Sequence, residues 1–147
     1  MLRGEAHVVA RVPIERVWAV VNDLQKIGRC VPGVESITVH DGGRATWKVG
    51  FKIGPLTQRV VVETETLERV EPTDIRFRGT ADNLDLTGSV HLEPHESGTS
   101  LAYSLTLEPK GRLANLLESY LKGKVAELTR TFVANVAQAV EASPAPG

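Results

Sequence analysis

From about Thr46 to Leu107 the chain alternates with a period of two, and one parity is apolar almost throughout. Trp47, Val49, Phe51 and Ile53 begin the series, followed by Val60, Val62, Thr64 and Thr66. Ile75, Phe77, Gly79 and Ala81 continue it, then Leu84, Leu86, Gly88, Val90 and Leu92, and finally Leu101, Tyr103, Leu105 and Leu107. The other parity carries Lys48, Lys52, Arg59, Glu63, Glu65, Arg76, Arg78, Asp82, Asp85, His91, Glu93 and Glu108. Successive side chains on a strand point to opposite faces, so this pattern predicts antiparallel strands with one dry face and one wet face. No Asp, Glu, Lys, Arg, His or Cys falls on the dry parity. Such a face is poorly equipped for acid–base or metal chemistry and well suited to enclosing an apolar molecule.

The flanks complete an α+β order. Glu5 to Val12 alternates as a first strand, and Pro13 stops it at a position suited to opening a helix. Ile14 to Asp23 has helical spacing, a second short helix is expected from Leu24 to Cys30, and Val31-Pro32-Gly33 ends it. A strand from Val34 to His40 turns at Asp41-Gly42-Gly43. The later turns, Glu71 to Asp74, Asp82-Asn83 and His95 to Gly98, are short enough for an antiparallel meander. Leu113, Leu116, Leu117, Tyr120, Leu121, Val125, Leu128, Phe132, Val136 and Val140 mark one long helix from about Arg112 to Ala142, with a bend at Gly123. A single domain over residues 1–142 and a frayed tail over 143–147 are expected. Seven twisted strands facing one helix leave space between them, and Gly79, Ala81 and Gly88 add no bulk there, so a cavity is predicted.

Composition narrows the function. At 147 residues, with 41% hydrophobic and 24% charged residues, the chain is long enough for a substantial core. A net charge of -1 gives no reason to expect nucleic acid. The lone Cys30 and the absence of an apolar core in Met1 to Glu5 suit a soluble cytoplasmic protein. No cofactor is implied: His7, His40, His91 and His95 sit on wet positions or beside turns without a second ligand at metal spacing. Cys30 has no local base and reads as a small buried thiol. Gly50 to Pro55 lacks the pattern of a phosphate loop and reads as a hairpin bend. Glu15, Arg16, Asp23 and Asp82 read as solvated charge. The basic residues Lys110, Arg112, Lys122, Lys124 and Arg130 alternate with Glu118 and Glu127 and also read as a solvated face.

Several segments resemble the CoxG family, named for the G-subunit of carbon monoxide dehydrogenase, within the helix-grip (SRPBCC) superfamily of START and birch-pollen-allergen domains. They are Val12 to Trp18 entering the first helix, Cys30 to Val34 leaving the second, Val49 to Leu56, Gly79 with Asp82, and Phe132 to Asn135. The resemblance implies a helix-grip fold: a curved seven-stranded antiparallel sheet wrapped around a long C-terminal helix, with two short helices after the first strand. It further implies a cavity-bearing protein without redox groups of its own. Such a protein would bind a lipophilic small molecule such as a quinone and assist a molybdenum-hydroxylase-type dehydrogenase. Transient contact with the inner face of the cell membrane is implied too.

The expected lining is Trp18, Ile27, Val31 and Pro32 from the first helical region, and Trp47, Val49, Phe51, Ile53, Val62, Thr64, Phe77, Gly79, Ala81, Val90, Tyr103 and Leu105 from the sheet. Leu117, Tyr120, Leu121 and Leu128 are expected from the last helix. Tyr103 and Thr64 would supply the polar contacts. Related helix-grip domains include polyketide cyclases and aromatases, but the dry parity offers little beyond Tyr103 for proton transfer, so a binding protein is favoured over an enzyme. An assembly factor that holds no ligand is the other alternative.

Overall fold

A computed structural model describes residues 1–142; the tail expected over 143–147 lies outside the described residues. The elements run β1 (Leu2–Ala10), α1 (Ile14–Val21), α2 (Leu24–Gly28), β2 (Val34–Val39), a 3-10 turn at Asp41–Gly43, β3 (Arg44–Ile53), β4 (Leu56–Val70), β5 (Asp74–Ala81), β6 (Leu84–His95), β7 (Gly98–Pro109), α3 (Ala114–Lys122) and α4 (Val125–Ala142). The strands form one antiparallel sheet in the order β1-β7-β6-β5-β4-β3-β2. Strands β2 to β7 are therefore a meander, and β1 joins it by pairing with β7 from Leu2 opposite Leu107 to Ala10 opposite Thr99. The register keeps the dry parity together across the sheet: Trp47 faces Val62, Thr66 faces Phe77, Ile75 faces Val90, and Val90 faces Tyr103.

Local chemistry sets the helix starts. Pro13 is the N-cap of α1, with an extended backbone and no side-chain bond. Asp23 caps α2: its carboxylate accepts from the backbone N–H of Gln25 at 3.0 Å and of Lys26 at 3.3 Å. It is thus a structural cap rather than plain solvated charge. Asn135 on α4 donates to the Cys30 carbonyl at 2.9 Å and ties α4 to the loop after α2.

The continuous last helix expected from Arg112 to Ala142 is two helices, separated at Gly123 and Lys124. Tyr120 donates to the Lys52 carbonyl at 2.8 Å and holds α3 toward the β3–β4 hairpin, whereas α4 lies on β1. At Gly4 the approach of α4 is so close that an added Cβ would stand 2.9 Å from the Val125 carbonyl oxygen. Its eighteen residues make α4 about 27 Å long.

The tight core lies between α1, α4 and the β1-β7-β6 half of the sheet, where Val17, Leu92, Leu101 and Val136 are fully buried. On the other half, Val49, Phe51, Val60 and Val62 are only half-buried. The helices therefore cover the dry face unevenly. The glycines do not make space as expected. Phe77 lies directly over Gly88, where an added Cβ would collide with its ring, and a Cβ added at Gly79 would stand 3.0 Å from Leu86 and 3.1 Å from Thr64. A missing side chain on a curved sheet has been used here to seat a neighbour.

Candidate functional site

Where the covering is incomplete, a hollow of about 190 Å³ opens between α1, α2, α4 and strands β3 to β7. Of the residues expected from the sequence, ten line it together: Ile27, Val31, Trp47, Val49, Val62, Thr64, Phe77, Val90, Tyr103 and Leu105. Val21, Leu24, Thr66, Ile75, Leu86 and Phe132 line it as well and fall outside the expected set. Ile75 and Leu86 share the dry parity with Phe77, so that parity contains the signal for them.

The remaining expected residues stand elsewhere. Trp18 is core, and its indole donates to Glu71 Oε1 at 3.0 Å. Pro32 is half-buried beyond Val31, Gly79 lies beneath Leu86 and Thr64, and Ala81 ends β5 opposite Leu84. Phe51 meets Tyr120 ring to ring at 6.0 Å, and Leu121 packs against Leu2, Leu107 and Val125. Leu117 and Leu128 are half-buried on α3 and α4 without reaching the hollow. The break at Gly123 explains the α3 residues, because it carries α3 away from the hollow. The side chain of Ile53 lies outside the described residues.

Among the described residues, Tyr103 is the sole ionisable group in the lining. Its ring leans on Phe132 at 4.4 Å, tilted by 42°. Burial pushes its phenol pKa well up, with no hydrogen bond contributing, so the hydroxyl stays protonated at physiological pH. Trp47 donates to Thr64 Oγ1 at 2.8 Å, which leaves the Thr64 hydroxyl its own proton to donate. Thr66 has already given its proton to the Gly43 carbonyl at 3.1 Å. The hollow is thus an apolar chamber carrying two hydroxyl donors and no formal charge.

This arrangement has a pH signature. A phenol whose pKa is raised by folding binds its proton more tightly in the native state than in the unfolded chain. Its contribution is complete below the ordinary tyrosine pKa of 10.0 and is lost as pH rises above it. Stability should fall by up to about 1.4 kcal/mol per pH unit in that range. Urea unfolding midpoints at successive alkaline pH values should show this slope in the parent and a shallower one in Tyr103→Phe; equal slopes would place the phenol in water.

The histidines stand outside the chamber. His91 on the wet face lies 2.8 Å from Asp74 and 2.9 Å from Glu93, and these carboxylates raise its pKa. The Thr73 hydroxyl and then His91 lower that of Asp74. His7 meets Ser100 and His40 meets Thr46. Burial raises the Cys30 thiol pKa. Among the described residues no three His, Cys, Asp or Glu side chains are grouped to hold a metal ion, and no helix is long and apolar enough to cross a membrane. A larger depression of about 820 Å³ on the wet face is lined by charged residues, including Arg78 bonded to Glu65 at 3.1 Å. Its lining is mostly exposed and sets five carboxylates against two arginines, so the smaller dry chamber is the better candidate for an uncharged ligand.

The sequence model of the CoxG family, the carbon monoxide dehydrogenase G-subunit, matches residues 4–141. The chain belongs to that family. No curated protein matches it. Among solved structures, this CoxG-family chain is similar to a conserved protein from Geobacillus kaustophilus, with a TM-score of 0.79, 18% identity and 95% of each chain covered. It is also similar to a protein from Thermus thermophilus, with a TM-score of 0.72, 20% identity, and 94% of this chain and 96% of that one covered. A third is the Zhui aromatase/cyclase from Streptomyces sp. R1128, with a TM-score of 0.70, 14% identity, and 99% and 98% covered. At these identities the likeness establishes the helix-grip fold and nothing finer.

Proposed function

We propose that this CoxG-family protein binds a small lipophilic molecule without transforming it, and that the bound group is an uncharged ring bearing hydrogen-bond-accepting oxygens, as in a quinone. The observation that carries the reading is the chamber's composition: apolar walls, no carboxylate or cation, and the Tyr103 and Thr64 hydroxyls each with a proton to donate. Size supports it. A dry cavity of about 150 Å³ holds benzene, whereas drug-sized ligands occupy roughly 300 Å³ or more. The hollow of about 190 Å³ therefore suits one substituted ring. Any long tail leaves between α2 and the β3–β4 wing, past half-buried Ile27 and Val49. Family membership supports a molybdenum-hydroxylase-type dehydrogenase as the enzyme assisted, on the cytoplasmic side of the membrane.

A cyclase-like enzyme has less support. Proton abstraction requires a base of suitable pKa, and burial moves Tyr103 away from that role.

Titration with 2,3-dimethoxy-5-methyl-1,4-benzoquinone tests the reading, with Trp47 fluorescence as reporter. Saturable quenching is expected at an affinity on the order of micromolar. Tyr103→Phe and Thr64→Val should each weaken binding by about tenfold through loss of one hydrogen bond. Absence of saturable binding, or binding indifferent to both substitutions, overturns it.

A further inference from the structure

We infer that the hollow selects its ligand by oxidation state, admitting a ring whose oxygens are carbonyls and rejecting the same ring reduced to its dihydroxy form. The inference rests on the reading of the hollow as a quinone site and concerns which form of the quinone it takes. An imbalance between donors and acceptors carries it. Among the described residues, Trp47, Thr64, Thr66 and Tyr103 bring the polar side-chain atoms of the lining, which holds no carboxylate, amide or imidazole. The sheet backbone adds no acceptor. Its lining strands, β3 to β7, each have a hydrogen-bonded strand on both sides, because the two edges are β1 and β2, so their carbonyls are committed to the ladders.

Two of the four polar groups have already spent their protons. The Trp47 N–H is held by Thr64 Oγ1 at 2.8 Å, and the Thr66 hydroxyl donates to the Gly43 carbonyl at 3.1 Å. The Tyr103 hydroxyl bonds to no protein group among the described residues. What remains for a ligand is the protons of Tyr103 and Thr64, with the Thr66 oxygen as a spare acceptor. A quinone brings two carbonyl oxygens and no proton, so each hydroxyl proton finds a partner. Reduction adds two electrons and two protons, one proton on each ring oxygen. Every ring oxygen and its hydroxyl then share one hydrogen bond but hold two protons, and whichever proton makes the bond leaves the other over. Thr66 can accept one of the two left over. The second stays buried without an acceptor, and an unpaired buried donor is costlier than a missing bond. From a pool holding both forms, the protein therefore fills with the oxidised one.

Anaerobic equilibrium dialysis tests this, with 2,3-dimethoxy-5-methyl-1,4-benzoquinone and the hydroquinone made from it by borohydride. The hydroquinone should bind about tenfold or more weakly than the quinone. Thr64→Asn supplies the missing acceptor: one lone pair of its amide oxygen keeps the Trp47 N–H, the other accepts a ring hydroxyl, and its amino group still donates to a carbonyl. In that variant, checked for folding by thermal unfolding, the preference should shrink to about threefold or less. Equal binding of the two forms by the parent overturns the inference and leaves the quinone reading standing. A preference that a folded Thr64→Asn protein keeps in full also overturns it, because the preference then follows the polarity of the ring rather than the pairing of protons. Binding of neither form removes the quinone reading and this inference together.

Discussion

Val62→Trp should fold about as stably as the parent and lose quinone uptake by a factor of roughly 100 or more. Val62 stands on the dry face of β4 directly opposite Trp47, half-buried, with its side chain at the wall of the hollow. An indole at this position has one place to go, the space of about 190 Å³ in front of it. Burying about 100 Å² more apolar surface contributes roughly 2.5 kcal/mol. Imperfect fit costs about 1–3 kcal/mol, so the two nearly cancel. Occupying the ring's volume, by contrast, removes the binding site. Isothermal titration beside thermal unfolding separates these outcomes. Parent-like affinity in a folded Val62→Trp protein would mean that the ligand binds elsewhere.

Gly4→Leu should be the most destabilising single change considered, costing on the order of 3 kcal/mol or more and lowering Tm by about 10 °C. An added Cβ alone meets the Thr129 methyl and the Val125 carbonyl oxygen at 2.9 Å and a Val125 methyl at 3.0 Å. A side chain can rotate away, but the Val125 carbonyl belongs to the first turn of α4, so relief requires moving the helix. That movement loosens Phe132, Val133, Val136 and Val140, all buried against the sheet and α1. Reduced freedom in the unfolded chain returns less than about 1 kcal/mol. Gly4→Ala should show part of the effect. A parent-like Tm for the leucine variant would mean that α4 does not rest on β1.

Much of this architecture is legible in the chain because its sheet is dry on one side only. From Trp47 to Leu107 the parity of each residue already states which way it faces, and the register agrees with it from Trp47 and Val62 through Val90 and Tyr103. Pro13, Asp41 and the glycines after it mark turns through their own backbone chemistry. What the chain conceals is how helices lie over the sheet. The apolar stripe runs unbroken from Leu113 to Val140, so periodicity alone cannot show that two helices share it. The expected lining therefore takes Leu117, Tyr120 and Leu121 from that stripe and passes over Phe132, a member of the same stripe on the helix that does reach the hollow. Gly88 misleads differently: sequence registers an absent side chain, and only coordinates reveal the phenyl ring of Phe77 in its place.

The interruption at Gly123 has a mechanical corollary. A rigid spar from Leu113 to Ala142 would lever every push at its outer end onto Phe132, and so onto the ring stacked against Tyr103. Two struts meeting at a joint whose glycine has no neighbour within 4 Å of a would-be Cβ do not transmit that torque. The outer strut follows the β3–β4 hairpin, to which Tyr120 ties it, while the chamber's floor keeps its shape.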